Sequence, residues 1–136
     1  MSAQVVMGFD YGSRRIGVAV GQTLTATASP VSVISTKNDD YWIAIDKLIQ
    51  EWQPTIFVVG MSCYADGSNN DNTLKIQHFC TFLNIRYQLP VHTIDETLTS
   101  IAAEERLSSQ PKRLGHTIDA LAAQIILETW FCEFSH

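Results

Sequence analysis

The chain has 136 residues, 46% of them hydrophobic and 17% charged, and a formal net charge of -5 at pH 7. These values exclude a disordered chain and two lobes around a cleft, leaving one domain over residues 1–136 with a single sizeable core. No apolar run approaches the roughly 20 residues that cross a bilayer, and the acidic balance argues against indiscriminate nucleic-acid binding while permitting a local basic patch.

Residues 4–10, 16–20 and about 25–34 read as three successive strands, with Gly12 and Gly21 marking the turns between them. Tight turns make this an antiparallel meander, and Pro30 bends the third strand or puts it at an edge. From Asp39 to Gln53, the residues Trp42, Ile45, Ile49 and Trp52 recur at spacings of three and four, one apolar stripe on a helix begun by acidic residues and ended by Pro54. The shared stripe assigns both tryptophans to the core. Ile56-Phe57-Val58-Val59 is a continuous apolar run, as expected of a central strand covered on both faces. A polar loop, Asp66 to Asn72, leads to a second helix with Ile76, Cys80, Leu83 and Tyr87 on its apolar side. A short strand then ends at Glu96, a helix runs from about Thr99 to Ser109, and a last helix from about Ile118 to Phe131. The order is that of an α/β protein: a mixed sheet, three antiparallel strands plus parallel ones, with helices on both faces, as in a ribonuclease-H-like fold.

Three carboxylates stand where such elements end or begin. Asp10 closes the run Val5-Val6-Met7-Gly8-Phe9 and enters the turn Tyr11-Gly12-Ser13; Glu96 follows Val91-His92-Thr93-Ile94-Asp95; Asp119 falls in the first turn of the last helix. Singly, each has a plain structural reading: a turn residue accepting backbone hydrogen bonds, a solvated strand end, a helix-start acid stabilised by the helix dipole. Together, at one end of a mixed sheet, they fit a divalent-metal site for cutting phosphodiesters, because hydrolysis there needs charge neutralisation at phosphate and an activated water. Hard oxygen donors suit Mg²⁺ or Mn²⁺, with one or two ions both compatible with the trio. Asp95 should face away from Glu96 along a strand, which leaves Glu96 as the ligand. His78, His92, His116 and His136 show no metal-ligand spacing, and His116 reads as a loop residue. Arg14 and Arg15, in the first hairpin, divide evenly between solvated turn residues and phosphate contacts. Cys63, Cys80 and Cys132 are odd in number and lack paired spacing, so they read as reduced thiols, and Met1-Ser2-Ala3-Gln4 lacks a leader's basic start; a cytoplasmic location is expected.

The residues that carry these features also carry a resemblance. Phe9-Asp10-Tyr11-Gly12 through Ile16-Gly17-Val18-Ala19-Val20-Gly21, Glu51-Trp52-Gln53-Pro54 before a strand ending at Gly60, Asp66-Gly67, Asp95-Glu96 and Asp119-Ala120-Leu121-Ala122-Ala123 resemble the RuvX (YqgF) family across nearly the whole chain in one order. The resemblance implies a fold like that of the resolvase RuvC and a nuclease maturing the 5′ end of the 16S ribosomal RNA precursor or resolving four-way DNA junctions, with Asp10, Glu96 and Asp119 as metal-binding carboxylates. It implies nucleic acid and ribosomal precursor particles as partners, no membrane, and a monomer or homodimer. The chain departs from the family where Thr97 follows the Asp-Glu pair in place of a basic residue, where Ser62-Cys63 replaces a leucine-proline pair, and where Gly115, His116 and Thr117 lack a lysine. Lys112 and Arg113, in the preceding loop, are candidates to restore positive charge for the substrate.

Two other function classes remain open on sequence. The Asp10-Tyr11-Gly12-Ser13 turn is similar to the phosphate loop of actin-like and sugar-kinase ATPases, which bind nucleotide between two lobes. A ribosome-assembly factor that binds nucleic acid without turnover would keep the same fold and lose the basic residues.

Overall fold

The computed structural model describes residues 4–12, 14–37, 40–61, 71–95 and 118–134. The chain forms β1 (Val5–Tyr11), β2 (Arg15–Gln22), β3 (Thr27–Ser35), α1 (Tyr41–Trp52), β4 (Ile56–Met61), α2 (Asp71–Tyr87), β5 (Val91–Asp95) and α3 (Ile118–Phe134). All five strands join one sheet in the order β3-β2-β1-β4-β5. The meander is antiparallel, while β4 runs parallel to β1 and β5 parallel to β4. The expected mixed sheet is therefore present. The expected helix from Thr99 to Ser109 and most of the Asp66–Asn72 loop lie outside the described residues.

Alternation along β1 sorts the core into two layers. Met7 and Phe9 join Ile16, Val18 and Val20 of β2 and Phe57 and Val59 of β4 in a cluster closed by Ile45 of α1 and by Ile76, Phe79 and Leu83 of α2. Val6, Ala19, Val58 and Ile94 point the other way, against Ala123, Ile126, Leu127, Trp130 and Phe131 of α3. β4 is thus buried on both faces, as its unbroken apolar run requires. Burying each large side chain contributes about 1.5–3 kcal/mol against the entropy of ordering it. Within the first layer the rings of Phe9 and Phe79 meet edge-on at 5.4 Å between centroids, a favoured aromatic geometry.

Two local readings change on folding and a third is met. Gly21 is not a turn residue: it pairs with Val6 and Ala28 inside the sheet, and the turn is made by Thr23 to Ala26. Pro30 does lie on the edge strand; the register jumps from Val18↔Ser32 to Ala19↔Pro30, leaving Val31 as a bulge residue beside a proline that has no amide to donate. Trp42 packs on the core, but Trp52 ends α1 at 39% exposure. The helix stops there because Gln53 turns left-handed, its N–H bonding to the Ile49 carbonyl, and Pro54 follows.

A polar clip ties α1 to α2. Arg86 donates to the Asp46 carboxylate from Nε at 3.2 Å and from Nη2 at 2.8 Å, and the Tyr87 hydroxyl donates to the same carboxylate. These hydrogen bonds, Arg86 first and Tyr87 second, hold the Asp46 carboxyl below its ordinary range. Among the described residues no helix is long and apolar enough to cross a membrane.

Candidate active site

β2 alternates large and small: Ile16, Val18 and Val20 fill the first layer, while Gly17, Ala19 and Gly21 fall on the α3 side. This small-residue face is where the last helix beds down. A β-carbon on Gly17 would sit 1.9 Å from the main-chain oxygen of Asp119 and 2.9 Å from the nitrogen of Ala120, so only glycine lets the first turn of α3 rest on the strand. Gly17 is also the register partner of Asp10. On β1, Val6 packs against α3 and a β-carbon on Gly8 would meet Leu127, so Asp10, two residues further along, shares that face. Asp10 and Asp119 therefore both lie beside Gly17, one on the first strand and one on the last described helix.

Arg15 joins them. Its Nε lies 3.1 Å from Asp119 Oδ2, with the two side chains 59% and 25% exposed. Its main chain is pinned: the carbonyl accepts the Gly12 N–H at 2.9 Å, and the residue pairs with Ser35 on β3. Arg14 differs in kind. It is exposed, and its main-chain oxygen accepts the Thr36 N–H at 2.9 Å, which closes the sheet end. An ion pair as open as Arg15–Asp119 is worth about 0.2–1 kcal/mol, enough to orient a carboxylate and too little to hold the fold. Asp119 also occupies the first turn of α3, where the helix dipole favours an anion.

On β5, Ile94 packs in the α3 layer and Asp95 follows on the alternate face, opposite Met61 in register. Glu96, Lys112 and Arg113 lie outside the described residues. Accordingly, among the described residues no three His, Cys, Asp or Glu side chains come together. What is present, two carboxylates on one face with a guanidinium as counter-charge, is an all-oxygen donor set that suits a hard divalent cation. Cys80 takes no part: it is partly buried on α2, and desolvation pushes its thiol up to about 11. A shallow cavity of about 270 Å³, lined by Val5, Val20, Thr27 and Trp52 among others, lies at the opposite end of β1 and on the α1 face.

Gly17 as the seat of the site and the pairing of Arg15 with Asp119 were not expected from sequence. The first had a readable signal in the strict large-small alternation of Ile16 to Gly21. The second had none, because its partners are far apart in the chain.

Comparison with known proteins identifies the family and the fold. The family model for RuvX, described as Holliday junction resolvase, matches residues 4–133. A protein of Methylococcus capsulatus named "Putative pre-16S rRNA nuclease" is 45% identical over 132 residues, covering 92% of this chain and 86% of the relative. One of the same name from Dechloromonas aromatica is 44% identical over 130 residues, covering 93% and 89%. Among solved structures, T. thermophilus RuvC in complex with a Holliday junction substrate superposes with a TM-score of 0.61 at 16% identity, covering 95% of each chain. The yeast mitochondrial Holliday junction resolvase gives 0.50 at 11% identity, over 92% of this chain and 76% of that one. At such identities the likeness is one of fold, and the fold is ribonuclease-H-like.

Proposed function

The chain belongs to the RuvX family, and from that membership we propose that residues 1–136 form one nuclease domain, a metal-dependent endonuclease that hydrolyses phosphodiester bonds at the 5′ end of the 16S ribosomal RNA precursor in the cytoplasm. The observation that supports the reading most is that Asp10 and the main chain of Asp119 both lie beside Gly17 near the end of β1. With Glu96 as the third carboxylate, these residues would hold Mg²⁺ or Mn²⁺. The alternation that puts Ile94 on the α3 side favours Glu96 over Asp95 for that role. When bound, the ion supplies charge neutralisation at the phosphate and a more acidic water. The chain's own contribution is placement. β1 fixes Asp10, and the glycine seat and the α3 dipole fix Asp119. Arg14, Arg15, Lys112 and Arg113 are the candidates for backbone phosphate contacts.

A second substrate, four-way DNA, is favoured by the family description and by the RuvC-like fold. The deciding experiment compares Mg²⁺- or Mn²⁺-dependent cleavage of a 5′-extended 16S precursor RNA and a four-way DNA junction by wild type and Asp10→Asn. Cleavage of the RNA that is lost in the variant supports the proposal; preferential cleavage of the junction replaces the substrate. If wild type cleaves neither yet binds RNA without metal, the chain is a binding factor and the nuclease reading fails.

A further inference from the structure

We propose that Arg15 is an exchangeable counter-cation: it neutralises Asp119 while no divalent ion is bound, and on metal loading it is released to a backbone phosphate, so that metal binding and nucleic-acid binding reinforce each other. The inference rests on the metal-nuclease reading above and adds to it a coupling between the two ligands.

Three features lead there. First, Arg15 and Asp119 are paired at 3.1 Å, and a divalent cation brought to Asp119 would stand beside the guanidinium as a like charge. Their repulsion weakens the ion pair and favours moving the guanidinium aside. Second, Arg15 is built so that only its head moves: its carbonyl is held by the Gly12 N–H and its strand pairs on both sides, yet its side chain is 59% exposed. The Asp119 main chain, against Gly17, has no such latitude. Third, a planar guanidinium displaced from a carboxylate finds its closest chemical equivalent in a phosphate, which accepts the same paired N–H bonds. The exchange is easy because an exposed ion pair shifts an equilibrium by no more than about fivefold. Reciprocity then follows: whatever the metal gains by freeing Arg15 for phosphate, the nucleic acid gains from the metal.

The test measures Mn²⁺ affinity by calorimetry, and the salt dependence of binding to a labelled 5′-extended 16S precursor RNA fragment in Ca²⁺ and in EDTA. Wild type, Arg15→Gln, Arg15→Lys and Asp119→Asn are compared, each shown to be folded by its melting curve. Losing the competitor, Arg15→Gln should bind Mn²⁺ up to about fivefold more tightly than wild type. In Ca²⁺ its log-log salt slope should be shallower than that of wild type by about 0.7–0.9, the value of one phosphate contact, while in EDTA the two should coincide. Arg15→Lys should restore the Ca²⁺ slope. Asp119→Asn, which frees Arg15 without metal, should show a steeper slope than wild type in EDTA. Weaker Mn²⁺ binding by Arg15→Gln, or a slope difference that is the same with and without Ca²⁺, overturns the exchange and leaves the nuclease reading standing. A wild type that binds no Mn²⁺ overturns both.

Discussion

The main-chain oxygen of Asp119 occupies the space that a β-carbon on Gly17 would need, at a separation of 1.9 Å. The obstacle is backbone, which cannot rotate aside as a side chain would. Gly17→Ala must therefore lift the first turn of α3 from β2 and carry Asp119 away from Asp10. We expect a loss of about 2–3 kcal/mol in urea unfolding, at the upper end of overpacking costs, together with loss of Mn²⁺ binding. An alanine variant with wild-type stability and metal affinity would show that this seat does not set the site.

Gly8 and Leu127 form a second close approach in the same layer. A β-carbon on Gly8 would come within 2.6 Å of the Leu127 side chain, which is fully buried. Leu127→Ala alone should cost about 2–5 kcal/mol by opening a cavity, and Gly8→Ala alone about 1–3 kcal/mol by crowding. Combined, the new methyl enters the space vacated by leucine, so the double variant should be more stable than the sum of the single losses predicts. Strict additivity in denaturant melts would mean the two residues do not share that space.

The Asp46 clip should show itself in acid. Its carboxyl titrates lower in the folded chain than in the unfolded one, whose ordinary value is 3.8. The stabilisation is therefore complete above that value and is withdrawn as pH falls through the depressed folded one. Tyr87 shifts the opposite way, upward, through burial and then through its bond to Asp46, so its share is complete below its ordinary 10.0 and is lost as pH rises past it. The melting-temperature gap between wild type and Asp46→Asn should be constant around neutrality and close at strongly acid pH. A gap independent of pH would locate the effect of Asp46 in packing instead.

Thiol chemistry separates two cysteines. Cys132 is exposed near the end of α3, whereas Cys80 is partly buried with its thiol raised from 9.0 to about 11. Two pH units leave Cys80 with about a hundredfold less thiolate at neutral pH than an ordinary thiol. Timed alkylation read by peptide mass spectrometry should modify Cys132 well before Cys80; equal rates would contradict the desolvation of Cys80.

Much of this architecture was legible because periodicity reports faces. The apolar runs from Val5 and from Ile56 and the three-four spacing from Trp42 to Ile49 each describe burial that the fold realises. The failures have equally local causes. Gly21 has the composition of a turn, but its missing side chain serves an approach by Phe131, 2.8 Å from where a β-carbon would lie, which only the tertiary structure contains. Trp52 matches the helical stripe but falls on its last residue, beyond the cover of the core. Asp10 and Asp119 were each recognisable by position, at a strand end and in a helix's first turn. The balance between Arg14 and Arg15 was not decidable, since adjacent arginines in a hairpin are told apart only by what α3 brings to them.

The seat on Gly17 also sets when the first strand and the last described helix can bring Asp10 and Asp119 to one face. Asp10 and its hairpin partner emerge early in synthesis and contact one another locally, so the meander has the short-range contacts that form fast. Asp119 is made late and reaches them only when α3 docks. A nascent chain that has already displayed Asp10 therefore lacks the neighbouring Asp119 until most of its own translation is complete.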